Sequence, residues 1–227
     1  MSDPLAGSTW SAPSTVEGFS RSQPNDTLMQ FAARERARVP GGRAIDIGCG
    51  AGRNAVPLAL QGWQVLGTDL SRPMLAAARL RAENDRVRLG LALAPMDALP
   101  AKDGTFDLLV AHGIWNLARS ASEFRRAVQE AGRVAAPHAA LFVFTFSRAT
   151  VPPDVPSVPG EPFVFTQFSG QPQCMLTRDQ LTDELAAAGF VPDDAVAFSE
   201  HNLPTANVVH ALRPPTILEA AFRYTRG

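Results

Sequence analysis

The chain has 227 residues, 45% of them hydrophobic, which is typical of one globular α/β domain. Its 21 basic and 22 acidic residues leave a net charge of −1, so no global charge favours nucleic acid or an anionic membrane surface as partner. The start lacks a signal-peptide pattern, and no apolar run reaches the length of a membrane span. We predict one domain over residues 1–227, in the cytoplasm, that acts on a small molecule as a monomer or homodimer.

The N-terminal part is predicted to cover the rest of the domain. Residues 1–24 are rich in Ser, Pro, Gly and Thr, which predicts an irregular arm. The following segment, NDTLMQFAARERARV, has apolar residues at helical spacing, with Asp26 as the expected N-cap and PGG as the stop. Residues 1–40 are therefore expected to form an arm and a helix over the site.

From residue 43 onward, strands alternate with helices. Five strands are predicted from RAIDIG, WQVLGTDL, RVRLGLALA, FDLLVAHG and AALFVFTF, and two more from AVAF and NVVHALR. Helix N-caps are expected at Ser71, Ser120 and Thr177, the last two with Glu123 and Gln180 at capping-box spacing. PPTILEAAFRYTRG is predicted to form a short terminal helix. The alternation predicts a Rossmann-like, doubly wound seven-stranded sheet with helices on both faces.

A long connector interrupts this alternation of strands and helices, and the chain has two cysteines. Residues 147–175 contain many prolines and several aromatic residues, and so long a connector in one domain predicts a functional loop or lid, with PFVFTQF as a short extra strand. Cys49 lies inside a glycine-rich turn, where a disulfide partner can hardly approach, so Cys49 and Cys174 are predicted to be reduced thiols.

The glycine-rich turn indicates a ligand site. Gly48, Gly50 and Gly52 follow a predicted strand and precede a helix, which lets backbone approach a ligand closely. Asp69 ends the second strand, where a carboxylate can accept hydrogen bonds from a ribose diol. The third glycine comes one residue earlier than in a dinucleotide fingerprint, and Asp46 precedes the turn by two residues. An acid at that position suits a cationic group better than a phosphate.

Four segments in order resemble the motifs of class I S-adenosylmethionine-dependent methyltransferases. They are DIGCGAG, GTDLS, MDALP and FDLLVAHGIWNL, and the resemblance, to methyltransferase domains of types 11 and 25, runs from about Arg43 to Phe190. It implies the strand order 3-2-1-4-5-7-6 with the last strand antiparallel. GRNAVPLALQGWQVLGTDLS also resembles the corresponding stretch of tellurite and thiol methyltransferases.

The resemblance implies S-adenosyl-L-methionine as cofactor, with S-adenosyl-L-homocysteine as product. It implies that the glycine turn passes under the methionine moiety, that an acid holds the ribose and that the strand-four motif lies near the sulfonium. The implied cofactor-binding residues are Asp46, Gly48, Cys49, Gly50, Asp69, Leu70, Met96, Asp97, Ala98, Ala111, His112 and Gly113.

Candidate catalytic and acceptor residues are read from their positions beside this site. His112 follows strand four and is a candidate general base, or a ring that only packs on the cofactor. Arg53 can attract an anionic acceptor or form a salt bridge. Trp115, Phe165, Gln167 and Phe168 are candidate acceptor contacts, with ordinary core packing as the alternative. The chain has no HxxxH, CxxC or acidic cluster, so we predict no metal site.

The sequence does not identify the atom that accepts the methyl group, and it leaves competing classes of protein. Sulfur or chalcogen is the first expectation, with oxygen or nitrogen of a small metabolite or natural product as the alternative. An NAD-dependent oxidoreductase is disfavoured by the glycine spacing and because Tyr224 is the only tyrosine, which leaves no Tyr-Lys pair. A non-catalytic module that binds the adenosyl group is the other competing class.

Overall fold

The fold was obtained as a computed structural model, which describes residues 3–203 and 214–226. One large sheet is covered by helices on both faces, and a small hairpin lies beside it. The strands are β1 Arg43–Ile47, β2 Gln64–Asp69, β3 Gly90–Leu93, β4 Phe106–His112, β5 Ala135–Phe146, β6 Val164–Phe165, β7 Gln173–Cys174, β8 Phe190–Pro192, β9 Ser199–His201 and β10 Ile217–Tyr224. The helices are α1 Pro13–Arg21, α2 Asp26–Arg38, α3 Ala55–Leu60, α4 Arg72–Asn84, α5 Ala121–Val134 and α6 Arg178–Ala187.

The order of strands in the sheet confirms the predicted fold class. Along the sheet the order is β3-β2-β1-β4-β5-β10-β8, with β1 to β5 parallel and β10 antiparallel to its neighbours. The outermost position is shared, because β8 and β9 each pair with a different part of β10. The sheet therefore has eight strands where seven were expected.

The last strands differ from the sequence prediction. AVAF, residues 195–198, is not a strand but joins β8 to β9, and NVVHALR lies outside the described residues. The terminal helix is wrong as well, since Ile217–Tyr224 is a strand with six of its eight residues buried. A strand between two others is buried on both faces, so it lacks the alternation that marks half-buried strands.

The N-terminal arm is more regular than expected. It contains α1, and a short 3-10 helix, Thr9–Ser11, precedes it. Helix α2 is capped by Asn25 and not by Asp26, because the Asn25 side chain accepts a hydrogen bond from the Leu28 backbone N–H at 2.8 Å. The predicted cap was therefore one residue late, and Asp26 lies in the first turn.

The other predicted helix starts are confirmed. Ser71, Ser120 and Thr177 each accept a hydrogen bond from the backbone of the first turn, and Thr177 forms a complete capping box with Gln180. At Ser120 the box is incomplete, since Glu123 accepts from the backbone N–H of Arg119 instead. Capping patterns thus located three helix starts correctly.

The proline-rich connector has structure of its own. Residues 147–175 contain a 3-10 turn and the hairpin of β6 and β7, so the expected extra strand is present as two residues, Val164 and Phe165. Phe165, Val151 and Met175 form a small buried cluster beneath it. Arg148 stacks over Phe165 at 4.7 Å and its guanidinium donates to carbonyl oxygens of the connector. These contacts define the path of a segment with little regular structure.

Two apolar clusters cover the two faces of the sheet. One contains residues from α5 and α6 and the other from α2 and α3, and alternate residues of β5 join one or the other. At the edge of the second cluster Arg223 of β10 makes two hydrogen bonds to the carboxylate of Glu35 on α2, at 2.7 and 3.0 Å. Burial raises the pKa of Glu35, but the hydrogen bonds and charges of Arg223 and Arg38 hold it below its usual value.

Arg223→Ala is expected to lower the free energy of unfolding by about 2–4 kcal/mol, because it leaves a buried carboxylate without its main partner. The matched control, Arg21→Ala, removes an exposed pair with Glu17 and should change it by less than about 0.5 kcal/mol. Urea unfolding of both variants measures this difference. Equal effects would show that the Arg223 pair contributes no more than a surface pair.

Candidate functional site

The carboxyl ends of β1, β2 and β4 meet at one edge of the sheet, and most predicted site residues follow them. The turn after β1 has positive φ at Gly48, Gly50 and Gly52, with values of 71, 53 and 76°. A Cβ on Gly48 would lie 2.6 Å from the Ile114 side chain, so this glycine is required by close packing as well as by its φ. Cys49 anchors the turn, since its backbone N–H donates to the Thr68 carbonyl at 2.8 Å.

Asp69 at the end of β2 joins two segments of the site. Its Oδ2 accepts from the backbone N–H of Gly50 at 2.9 Å, and its Oδ1 accepts from that of Ser71 at 2.8 Å. Burial raises the pKa of this carboxyl, and hydrogen bonds from the backbone of Ser71, Gly50 and Leu70 oppose that shift. Each carboxylate oxygen has a further lone pair, so Asp69 can still accept hydrogen bonds from a ligand.

Asp46 carries a polar atom with no partner. The side chain is buried, and its Oδ2 makes no hydrogen bond within the described structure. Burial raises the pKa of Asp46 to about 7, against the opposing charge of Arg53, and the negative charge of Asp69 raises it further. A buried carboxylate oxygen without a partner is rare, and it marks a position that a cationic or hydrogen-donating ligand group would satisfy.

His112 is held between several side chains at the end of β4. Arg53 Nη2 donates to His112 Nδ1 at 2.9 Å, because a guanidinium has no acceptor, and the ring stacks on Phe144 with centroids 4.0 Å apart. Burial lowers the pKa of His112 to about 3, and the charge of Arg53 lowers it further. The imidazole is therefore neutral, with one nitrogen already engaged.

This environment argues against His112 as a general base. A base with a pKa near 3 gains little from accepting a proton at neutral pH. Its other nitrogen, Nε2, lies 3.4 Å from Asn25 Nδ2, which itself donates to Glu219 Oε2 at 2.8 Å. The alternative reading, a ring that packs at the site, agrees better with these contacts.

Sequence reasoning missed Asn25, Phe144 and Glu219. Glu219 lies on β10 opposite Phe144 of β5, and its side chain is only 4% exposed. A lone acid inside the apolar run ILEAAF was a readable signal, but the predicted terminal helix hid it. Asn25 was overlooked because the neighbouring Asp26 is an equally good cap by type.

The N-terminal arm lies over the site. Ser11 and Ser71 share a hydrogen bond at 2.9 Å between their hydroxyls, and the backbone N–H of Arg72 donates to Asp3 at 3.1 Å. Phe19 of α1 is close enough to the turn that a Cβ on Gly50 would contact its ring at 3.7 Å. The arm therefore contacts both the glycine turn and the start of α4.

The remaining implied cofactor residues lie beside this edge. The loop after β3 begins next to Asp69, whose carbonyl accepts from the backbone N–H of Ala94 at 3.1 Å. Within it Asp97 accepts from Arg126 Nε at 3.2 Å. Leu70, Met96 and Asp97 are half-buried, Ala98 is exposed, Ala111 is buried and Gly113, which follows His112, has a φ of 73°.

The predicted acceptor contacts are only partly brought together. Trp115 is fully buried and packs edge-on against Phe124 with centroids 6.0 Å apart, so it is a core residue and not a pocket wall. Phe165 is buried in the connector and Gln167 is exposed. Phe168 is 40% exposed and packs on Phe146, the last residue of β5, and Phe146 also packs against the cluster that contains Phe165.

Cysteine and metal chemistry add little to this site. Cys49 and Cys174 are both free and buried, and burial raises the pKa of each thiol. Among the described residues no three His, Cys, Asp or Glu side chains are grouped as metal ligands would be. In the same part of the chain no helix has the length and apolarity needed to span a bilayer.

Comparisons with known proteins agree with this fold. Residues 44–138 match the family described as "Methyltransferase domain". Over 202 residues the chain is 28% identical to a demethylmenaquinone methyltransferase of Clavibacter sepedonicus, covering 82% of this chain and 78% of that one. Over 131 residues it is 29% identical to a ubiquinone/menaquinone biosynthesis C-methyltransferase of Geotalea uraniireducens, covering 54% of each chain, so this match spans about half of that relative.

A solved structure has the same fold. The 1,6-didemethyltoxoflavin-N1-methyltransferase of Burkholderia thailandensis, with bound S-adenosylhomocysteine, superposes with a TM-score of 0.63 at 17% identity, over 88% of this chain and 79% of that one. The chain therefore has the class I methyltransferase fold, and residues 44–138 match the methyltransferase domain family. None of these three proteins is named as a tellurite or thiol methyltransferase, so that closer similarity stays a prediction.

Asp46→Asn is expected to stabilise the ligand-free protein near neutral pH. Since the folded-state pKa is about 7 against an ordinary 3.8, the folded protein binds more protons than the unfolded chain between these values, and stability falls as pH rises through that window. The penalty reaches at most about 4 kcal/mol above the window. The variant lacks it, so its advantage over wild type should grow by about 2 kcal/mol from about pH 5 to about pH 7.5.

Urea unfolding at the two pH values measures this change. Asp103→Asn, which changes an exposed carboxylate, is the control and should show no such growth. An Asp46→Asn protein less stable than wild type at both pH values would show that Asp46 is satisfied in the folded state.

Proposed function

We propose that this protein transfers the methyl group of S-adenosylmethionine to a small-molecule acceptor. One observation carries the proposal: Asp46 presents a buried, unpartnered carboxylate oxygen directly before a turn of positive-φ glycines. The glycines let the backbone of this turn approach a ligand closely. A cationic group of that ligand would stabilise the adjacent buried carboxylate in its charged form. The ammonium of an adenosyl-methionine donor meets this need, whereas the pyrophosphate of a dinucleotide does not.

The residues present fit such a donor. Asp46 would hold the ammonium group, and Asp69 would accept from the ribose hydroxyls with its remaining lone pairs. Leu70, Met96 and Asp97 would border the adenine, and Ala111 to Gly113 would lie near the sulfonium. The arm contacts at Ser71 and Gly50 would limit access of water to the donor.

When bound, S-adenosylmethionine supplies a methyl group on a sulfonium with a neutral thioether as leaving group. The chain's own residues then have mainly to orient the acceptor and exclude water. Because His112 is neutral and engaged by Arg53, we assign it to positioning and not to proton removal. An acceptor that is ionised before it binds needs no base from the protein.

The acceptor atom is part of the proposal. Sulfur or chalcogen is the first candidate, since such nucleophiles need no base, and oxygen or nitrogen of a small metabolite is the alternative. The named relatives methylate carbon and nitrogen in their own reactions, so they favour no one atom for this chain. The monomeric or homodimeric state and the cytoplasmic location remain predictions from the sequence.

Asp69→Ala is expected to weaken binding of S-adenosylhomocysteine by about 1–3 kcal/mol, because two charge-assisted hydrogen bonds to the ribose are lost. Titration calorimetry measures this change, with Asp103→Asn as a control that removes an exposed carboxylate far from the turn. Unchanged affinity in Asp69→Ala would show that the ribose is held elsewhere.

Transfer of labelled methyl from S-adenosylmethionine to a panel of thiols, selenite, tellurite, phenols and amines tests the reaction itself. We expect turnover with at least one class. Tight donor binding without transfer to any acceptor would favour the non-catalytic binding module, and binding of NADH without a response to S-adenosylhomocysteine would favour the oxidoreductase.

A further inference from the structure

We propose that Arg53 and helix α1 form the acceptor site, and that this site selects an acceptor carrying a carboxylate or an equivalent small anionic group. The inference deepens the proposed methyl transfer and rests on it. It names the chemical class of the acceptor, which neither the fold nor the similar proteins define.

Arg53 is a half-buried cation without an acidic partner in contact. Within the described residues no carboxylate lies within 4 Å of its guanidinium, and its hydrogen bond to a side chain goes to neutral His112. Burial lowers the pKa of Arg53, the negative charge of Asp46 opposes this shift, and the positive charge of Arg81 adds to it. A desolvated guanidinium in this state is stabilised by an anion.

Asp46 supplies negative charge that acts on Arg53, and the proposed donor would pair with it. The negative charge of Asp46 acts on Arg53, but its free oxygen is the expected partner of the donor's ammonium. Once that pair forms, Arg53 loses part of the field that balances it. Donor binding should therefore increase the preference for an anion beside Arg53.

A cavity of about 300 Å³ adjoins this guanidinium. Its size is at the lower end for small-molecule sites. One wall is helix α1, which presents hydroxyl groups and one aromatic ring. The lining residues are Ser14, Thr15, Gly18, Phe19, Ser22 and Arg53. The hydroxyl of Ser22 already donates to the Phe19 carbonyl at 2.7 Å. A cation, the hydroxyls of Ser14 and Thr15 and an aromatic face suit an acid attached to a small ring or chain.

The guanidinium of Arg53 is held in place by His112. His112 Nδ1 accepts from Arg53 Nη2, and the imidazole ring is itself stacked on Phe144. The neighbouring Asn54 accepts from the backbone N–H of Asn25, which ties the turn to the start of α2. A guanidinium fixed by a neutral acceptor keeps its charge and its other donors for a ligand.

The test uses three acids as probes, namely benzoate, salicylate and thiosalicylate, each paired with its neutral amide. Titration calorimetry with saturating S-adenosylhomocysteine should show at least one acid binding about tenfold more tightly than its amide. Arg53→Gln should reduce this ratio to about twofold or less, and Arg53→Lys should retain part of it. The control Arg21→Gln removes a cation from the exposed face of α1 and should leave the ratio unchanged.

The inference is overturned if no acid binds more tightly than its amide, or if Arg53→Gln keeps the preference. A second experiment tests whether the anion beside Arg53 is the carboxylate of the donor and not that of an acceptor. Arg53→Gln should bind S-adenosylhomocysteine and 5′-methylthioadenosine, which lacks the amino-acid part, as wild type does. Loss of affinity for the first alone would assign Arg53 to the donor and reject the acceptor site.

Failure of the proposed methyl transfer can be distinguished from failure of the inference about Arg53. If wild type does not bind S-adenosylhomocysteine, the donor assignment fails, and the same acid and amide pairs titrated without it still decide whether Arg53 selects an anion. Thermal unfolding of each variant checks that it is folded before its titration is interpreted.

Discussion

The whole site depends on one buried carboxylate that the protein leaves unsatisfied. Asp46 lies at the centre of the sheet on β1, where burial raises its pKa to about 7 and one oxygen has no partner. Folding tolerates this cost because the surrounding core supplies far more stability than one such group removes. Three other features of the site lie around this carboxylate. They are the glycines that follow it, the acid at the end of β2 and the cation of Arg53.

The two ends of the described chain complete the site around that charge. Asn25, which caps α2, and Glu219 on β10 are joined by a 2.8 Å hydrogen bond, and Asn25 also lies 3.4 Å from Nε2 of His112. The Asn25 side chain thus contributes both a helix cap and a contact to His112. Phe19 and Ser11 add contacts from the arm to the turn and to α4. Methyl donor and acceptor sites built this way would form only when the N-terminal arm is in place.

Hydrophobic periodicity and capping patterns predicted those elements whose conformation is determined by residues close in sequence. The parallel strands, the glycine turn and the caps at Ser71, Ser120 and Thr177 follow from burial and hydrogen bonding within a few residues. The misassigned parts depend on distant neighbours. Ile217–Tyr224 forms a strand because β5 and β8 flank it, and Trp115 is core because α5 covers it. The pairing of Arg53 with His112 joins residues on different elements and had no sequence signal.

Proton release on donor binding tests the central claim most directly. If the donor's ammonium pairs with Asp46, the pKa of that carboxyl must fall, and a protein at about pH 7 should release about half a proton on binding S-adenosylhomocysteine. Calorimetry in two buffers of different ionisation enthalpy measures this number, and 5′-methylthioadenosine, without the ammonium, should release none. Equal release for both ligands, or release that persists in Asp46→Asn, would contradict the account.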